Sequence, residues 1–261
     1  MDGRPDGYAA ERDALLATVL AVVQRDPRVT AAWLAGSIGR GSADRWSDLD
    51  LWLAIEDREL PAIVADPVAF VNAIVPVTMA IRAPQNAPPQ GAYLLTWIDG
   101  EIGPQQIDWY WQPASTATRG PQTRLIFERV PVPRLAVAAR LPERELDAAL
   151  DAAIRNALLM AFITGKHIHR GNQWAVVRHL EQLDRCAGTL KWLLTHGYSP
   201  AFDDRLATGL PAAIPVTPEE YRTVWRSLVR GIRALIEQAG RSEGFGPASE
   251  SLQVWERTLA D

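Results

Sequence analysis

Apolar residues recur at helical spacing over residues 8–25, where Leu15, Leu16, Val19, Leu20, Val22 and Val23 form one stripe. After Asp26-Pro27 the pattern becomes a continuous run, Val29-Thr30-Ala31-Ala32-Trp33-Leu34-Ala35, which predicts a buried strand stopping at Gly36-Ser37. From Leu49 to Ile55 the period is two. It puts Leu49, Leu51, Leu53 and Ile55 on one face of a strand and Asp50, Trp52 and Ala54 on the other. Pro67 to Val75 predicts a short helix and Val77 to Arg82 a strand. Two β-rich runs, Tyr93 to Ile98 and Gln105 to Gln112, flank Asp99-Gly100-Glu101-Ile102-Gly103 and predict a hairpin.

Prolines at 113, 121, 131, 133 and 142 break the pattern and predict a connection, with one short strand at Arg124 to Phe127. Beyond it only helical periodicity remains. Leu146, Leu150, Ile154, Ala157, Leu158 and Ala161 share a face within 143–165, and Val176, Leu180, Leu183, Ala187, Leu190 and Leu194 do so within 172–196. Thr217-Pro218-Glu219-Glu220 is a capping box with proline at the first helical position. It opens a helix carrying Tyr221, Trp225, Leu228, Ile232 and Ile236 and ending near Gly240. A last short helix is expected over 248–259. The pattern predicts an α+β unit over residues 1–125, followed by an all-α helical bundle over 126–261.

Composition narrows the classes. Of 261 residues 48% are apolar and 22% charged, which excludes disorder and collagen-like or coiled-coil repeats as the main state. The formal net charge of −4 offers no basic excess for nucleic acid or an anionic membrane. The single cysteine, Cys186, allows neither an internal disulfide nor a cysteine metal cluster and is expected to be inert core on its helix. No apolar run approaches the roughly 20 residues of a membrane span, and residues 1–7 lack the apolar stretch of a signal peptide. A soluble cytoplasmic protein is the expectation.

The stretch that carries chemistry runs from Leu34 to Leu51. Glycines at 36, 39 and 41 allow a tight turn and close approach to a ligand, and the backbone N–H groups there, with the Ser37 hydroxyl, suit phosphate oxygens. Further on, Asp48 and Asp50 sit two positions apart. On a strand that puts both carboxylates on one face, roughly 7 Å apart. Two like charges so placed repel unless a cation lies between them, and Mg²⁺ takes hard oxygen ligands, commonly one or two carboxylates plus substrate phosphates. A third acid, Asp108, interrupts the apolar strand Ile107-Asp108-Trp109-Tyr110-Trp111, a costly place for a carboxylate unless it is paired or metal-bound.

These residues closely resemble the glycine-serine loop and Asp-x-Asp signature of the DNA polymerase beta-like nucleotidyltransferase superfamily. Gly36-Ser37 ends the first strand, Arg40-Gly41 follows, and Ser47-Asp48-Leu49-Asp50-Leu51 opens the next strand. The position before the family arginine is often alanine; here it is Gly39. Asp108 fits the family's third carboxylate by context rather than by motif. The motif covers about twenty residues and combines loop, spacing and paired acids. The chain size and helical C-terminal half resemble the aminoglycoside and lincosamide adenylyltransferases, and Lys166 to Trp174 is more loosely similar to a basic-Gly-x-x-Trp stretch in their helical domains.

The resemblance implies a mixed sheet with flanking helices and a cytoplasmic transferase with two Mg²⁺ ions. The implied reaction moves AMP from ATP, or another nucleoside monophosphate, to a hydroxyl of a small molecule such as an antibiotic, which antibiotic resistance would use. Asp48, Asp50 and Asp108 would be metal ligands, with Asp108 also a candidate base. Gly36, Ser37, Arg40, Ser47 and Lys166, with Arg170 behind it, would face the nucleotide. A homodimer is also in keeping with that family, although these residues give no argument for one.

Plainer readings stand beside these. Asp48 and Asp50 suit a solvated strand start, Asp108 an edge-strand acid facing water, and Ser37 a helix cap. Arg40 could pair with Asp44. Lys166, His167, His169 and Arg170 suit a helix end, where cations offset the dipole. Trp33 is expected in the core, and Trp109 and Trp111 against a helix, with Tyr110 on the face of Asp108. Trp52 shares the face of the acids, while Trp46 and Tyr93 are candidates for an acceptor pocket. Walker-type phosphate loops, zinc motifs and a nucleophile elbow do not occur in the sequence. Modification of a protein or a tRNA, and a catalytically silent nucleotide-binding module, remain alternative functions.

Overall fold

The computed structural model describes residues 5–136, 138–200 and 209–258, and the chain divides at 137/138 into two compact units. In the first unit the helix α1 (Pro5–Val23) leads into β1 (Val29–Leu34), then the five-residue helix α2 (Gly36–Arg40) and β2 (Leu49–Ile55). Two short helices follow, α3 (Leu60–Ala65) and α4 (Pro67–Asn72), then β3 (Met79–Arg82). A 3-10 turn (Pro84–Asn86), β4 (Ala92–Ile98), β5 (Gln105–Pro113) and β6 (Arg124–Glu128) complete the unit.

The six strands form one mixed sheet in the order β3-β4-β5-β2-β1-β6. β2 and β5 run parallel at its centre, and every other neighbouring pair is antiparallel. Period-two alternation decides the faces. Leu49, Leu51, Leu53 and Ile55 of β2, with Ile107, Trp109 and Trp111 of β5, are wholly buried. They pack with Leu16, Val19 and Val23 of α1, Leu60 and Ile63 of α3, and Phe70 and Val71 of α4. Phe70 meets Trp111 edge to face at 5.9 Å. Polar groups within this layer are paired: the Trp109 Nε1–H donates to Thr96 Oγ1 at 2.9 Å, and that hydroxyl donates to the Ile107 carbonyl. With the helices on that side, the opposite face of β2 and β5 is left for Asp50, Trp52, Asp108 and Tyr110.

The second unit is a helical region of α5 (Glu143–His169), α6 (Gln173–His196), α7 (Pro218–Gln238) and α8 (Ser242–Thr258). Its core holds each apolar position that the periodicity put on the stripes of α5 and α7. The Trp225 Nε1–H, fully buried, donates to the Ala161 carbonyl at 2.8 Å and so ties α7 to α5. The capping box forms: Glu220 N–H donates to Thr217 Oγ1, and the Glu220 carboxylate accepts from the Thr217 N–H. These backbone bonds, first that of Val216, hold the Glu220 carboxyl below its usual range. Asn172 caps α6 by accepting from the Ala175 N–H.

Three expectations shift. The division expected at 125/126 falls inside β6, which pairs with β1 and belongs to the sheet. α3 was absent from the pattern: with Leu60 and Ile63 as its buried residues, it is too short to show a period. The helix expected over 248–259 starts earlier, at Ser242, and its last residue lies outside the described ones. Among the described residues, no helix is long and apolar enough to cross a membrane.

Candidate active site

The parallel register of β2 and β5 makes Asp50 the Cα partner of Asp108. Neighbours in a parallel pair point the same way, so both carboxylates leave one sheet face from backbones about 4.8 Å apart. Asp48 immediately precedes β2 and reaches the same place. The side-chain amide of Gln106, two residues before Asp108 on β5, donates from Nε2 to Asp48 Oδ2 at 3.2 Å and to Asp108 Oδ1 at 3.1 Å. Three acids from two separated segments thus lie on one side of the sheet, and one amide bridges two of them.

The loop after β1 is shaped to receive the third. Gly36 has φ +57°, and a β-carbon there would lie 1.8 Å from Asp50 Oδ2. Only glycine allows both the left-handed backbone and the close approach of that carboxylate. Gly39 is equally fixed: a β-carbon would meet the Leu34 carbonyl oxygen at 2.5 Å. This gives a local reason for glycine rather than alanine before Arg40. Ser37 Oγ is buried and has no hydrogen-bond partner. A buried hydroxyl in that condition needs a ligand or water to satisfy it. Arg40 ends α2, and Gly41 closes it with φ +74°.

Burial pushes the Asp108 carboxyl upward from its usual range; the Gln106 hydrogen bond opposes this, the Asp48 charge adds to it, and the Tyr93 hydroxyl bond opposes it again. Tyr93 is itself pushed up to about 12 by burial and by the neighbouring Asp108 charge, and Tyr110 is raised by burial and by the Asp50 charge. Both phenols therefore remain protonated donors at neutral pH. A row of rings crosses the same face in register, Trp33, Trp52, Tyr110 and Tyr93. Trp52 stacks on Tyr110 at 4.2 Å and 4°, and Tyr110 meets Tyr93 at 5.0 Å. Towards the sheet edge, Leu95 is the partner of Asp108 and Trp97 the partner of Gln106. With Ile81 of β3 they form an apolar margin in which Ile81 and Trp97 are exposed.

Other expected site residues are placed differently. Ser47 Oγ donates to Asp44 Oδ1 and accepts from the Asp44 N–H, so it braces the turn before β2. Arg12 of α1, nearly buried, locks the same turn by donating to the Asp44 and Ser47 carbonyls at 3.0 and 3.2 Å. Trp46 is exposed and packs on Tyr8. Lys166 and Arg170 belong to the second unit, at the end of α5; the Lys166 ammonium lies 5.0 Å from the Phe162 ring centre. His167 stacks on His179, and His169 follows two residues later on α5. Cys186 is half-buried, and burial pushes its thiol up.

Gln106 and Arg12 were not singled out by the sequence as site groups, whereas Tyr110 was expected on the face of Asp108. Gln106 shares the period-two face of Asp108, the only signal that could have found it. Arg12 gave none, because its partners lie over thirty positions away.

The chain matches no protein-family model and no curated protein. Among the described residues, no group of three or more His, Cys, Asp or Glu side chains is drawn close enough to hold a metal ion as it stands. The donor set nonetheless suits Mg²⁺. Asp48, Asp50 and Asp108 offer hard oxygen donors of the kind Mg²⁺ prefers. Two of them are already bridged by a donor at hydrogen-bond distance, and Ser37, whose hydroxyl is unsatisfied, follows the Gly36 that abuts Asp50.

Proposed function

We propose that the first unit carries a Mg²⁺-dependent nucleotidyltransferase site that moves a nucleoside monophosphate, AMP from ATP, to a hydroxyl of a small molecule. One observation carries the reading: Asp50 and Asp108 pair across parallel strands, while Gln106 ties Asp108 to Asp48. Asp48, Asp50 and Asp108 would hold the metal, with Asp48 and Asp50 also reaching a second ion. Bound there, Mg²⁺ neutralises phosphate charge and lowers the pKa of the attacking hydroxyl.

The protein's own groups supply the rest. Ser37 Oγ and backbone N–H groups at the start of the loop after β1 would orient the outer phosphates. The acceptor oxygen forms a bond to the α-phosphorus, the bond from that phosphorus to the bridging oxygen breaks, and pyrophosphate leaves. The hydroxyl proton passes to an Asp108 oxygen. Its partial burial makes this carboxylate a better base than one in water. Tyr93 holds it in place. Tyr110 offers a protonated hydroxyl on the same face. Leu95, Ile81 and Trp97 give the acceptor an apolar margin beside the base, which favours a hydroxylated molecule with an apolar ring or chain.

The test is transfer of label from α-labelled ATP with Mg²⁺ over a panel of polyamino sugars and of alcohols bearing apolar groups. Wild type is expected to label one class, and Asp50→Asn to lose at least about a hundredfold in rate, as expected when a metal ligand goes. Equal pyrophosphate release from both proteins would contradict the reading. Label on a protein band or on tRNA in a lysate would move the acceptor to a macromolecule.

A further inference from the structure

We infer that Gln106 is a positioning residue whose amide stands in for a divalent cation between Asp48 and Asp108 and must yield when the cation arrives. This inference rests on the transfer reading above, because it concerns the same carboxylates.

The geometry has three parts. First, a single nitrogen, Nε2, serves both acids, at 3.2 and 3.1 Å. A primary amide has two N–H bonds, and here each points at a different carboxylate, so the donor capacity of that nitrogen is fully spent. Second, the two acids come from distant segments that the parallel pairing of β2 with β5 brings side by side: Asp48 lies on the approach to β2 and Asp108 within β5. The amide holds their oxygens within reach of one small positive group. Third, two carboxylates held to one amide nitrogen are like charges at short range and repel each other.

A charge-assisted bond from a neutral amide offsets part of this repulsion but brings no net charge. A divalent ion shared by Asp48 and Asp108 occupies the same gap with two full charges, so at least one of the amide bonds is given up as it binds. Gln106 therefore stabilises the metal-free protein and, by the same interaction, lowers its affinity for the ion. Free-energy linkage requires this: whatever favours the unliganded state weakens binding.

The prediction is an inverse relation between metal-free stability and metal affinity at position 106. Gln106→Met keeps length and volume but removes the donor. Gln106→Lys puts a permanent cation in the gap. Full-length wild type and both variants would be melted in EDTA and then titrated with Mn²⁺ by calorimetry. Gln106→Met is expected to melt lower than wild type and bind Mn²⁺ about tenfold tighter, as when one charge-assisted bond no longer opposes binding. Gln106→Lys is expected to melt higher and bind Mn²⁺ about tenfold weaker or more. A merely structural glutamine would lower stability in both variants without reversing the order of affinities.

Equal Mn²⁺ affinity in the three proteins, or weaker binding by Gln106→Met, would overturn the inference while leaving the transfer reading intact. If Gln106→Met does not fold, the Gln106→Lys arm alone decides between the two results. The same titration on Asp108→Asn separates the claims. Wild-type Mn²⁺ uptake unaffected by Asp108→Asn, or no uptake even with nucleoside triphosphate present, would overturn the transfer reading itself, and the role of Gln106 with it.

Discussion

Two residues show how closely backbone and carboxylates are matched at this site. Gly36→Ala would add a β-carbon 1.8 Å from Asp50 Oδ2 at a φ of +57°. The expected cost is about 1–3 kcal/mol, from the left-handed strain and the displaced carboxylate together. Urea denaturation measures it. In an Asp50→Ala background the same substitution should cost less, since the collision is gone and only the strain remains. Asp108 makes the complementary case. Its raised pKa means the folded chain keeps a proton that the unfolded chain has released above about pH 3.9. Stability therefore falls as pH rises from that value through the raised one. Asp108→Asn should then gain in melting temperature over wild type as pH rises through that range without divalent metal. The difference should shrink as pH falls back to the ordinary carboxylate value. A scanning calorimetry series across pH checks both halves.

The elements show which features of the pattern were legible. Period two in Leu49 to Ile55 separated Asp50 and Trp52 from the leucines, and the strand has those bounds and faces. The capping box of α7 and the hairpin of β4 and β5 were equally local, and both formed. Non-local features were not legible. That Asp108 lies opposite Asp50 depends on the parallel register of β2 with β5, which a long crossover sets and no short motif encodes. Gln106 and Arg12 act through partners distant in sequence, so neither carried a signature. Two substitutions test elements. Arg12→Ala removes the two bonds that tie α1 to the 44–47 turn and should destabilise the chain by about 1–3 kcal/mol, the net worth of two such hydrogen bonds. On the β3–β4 margin, Trp97→Ser should raise the KM for an apolar acceptor several-fold while kcat and the KM for ATP hold, because Trp97 borders the acids without touching them.

At the scale of the whole chain, a six-stranded mixed sheet with helices on one face leaves the other face to acids and aromatic rings, and a separate helical unit has its own core. The division into an α+β part and an all-helical part was readable because the period of the apolar pattern changes from two to that of a helix beyond the proline-rich connection. The exact limit was not, since β6 joins the sheet from inside that connection. The account as a whole stands on one arrangement, in which acids from β2 and β5 and the residue before β2 share a cation. The most direct measurement is an anomalous difference map from crystals of the protein with Mn²⁺ and a non-hydrolysable ATP analogue. The account predicts a peak within coordination distance of oxygens from Asp48, Asp50 and Asp108, with the analogue's phosphates beside Ser37. A peak on other residues, or a nucleotide bound away from the Gly36-Ser37 loop, would contradict it.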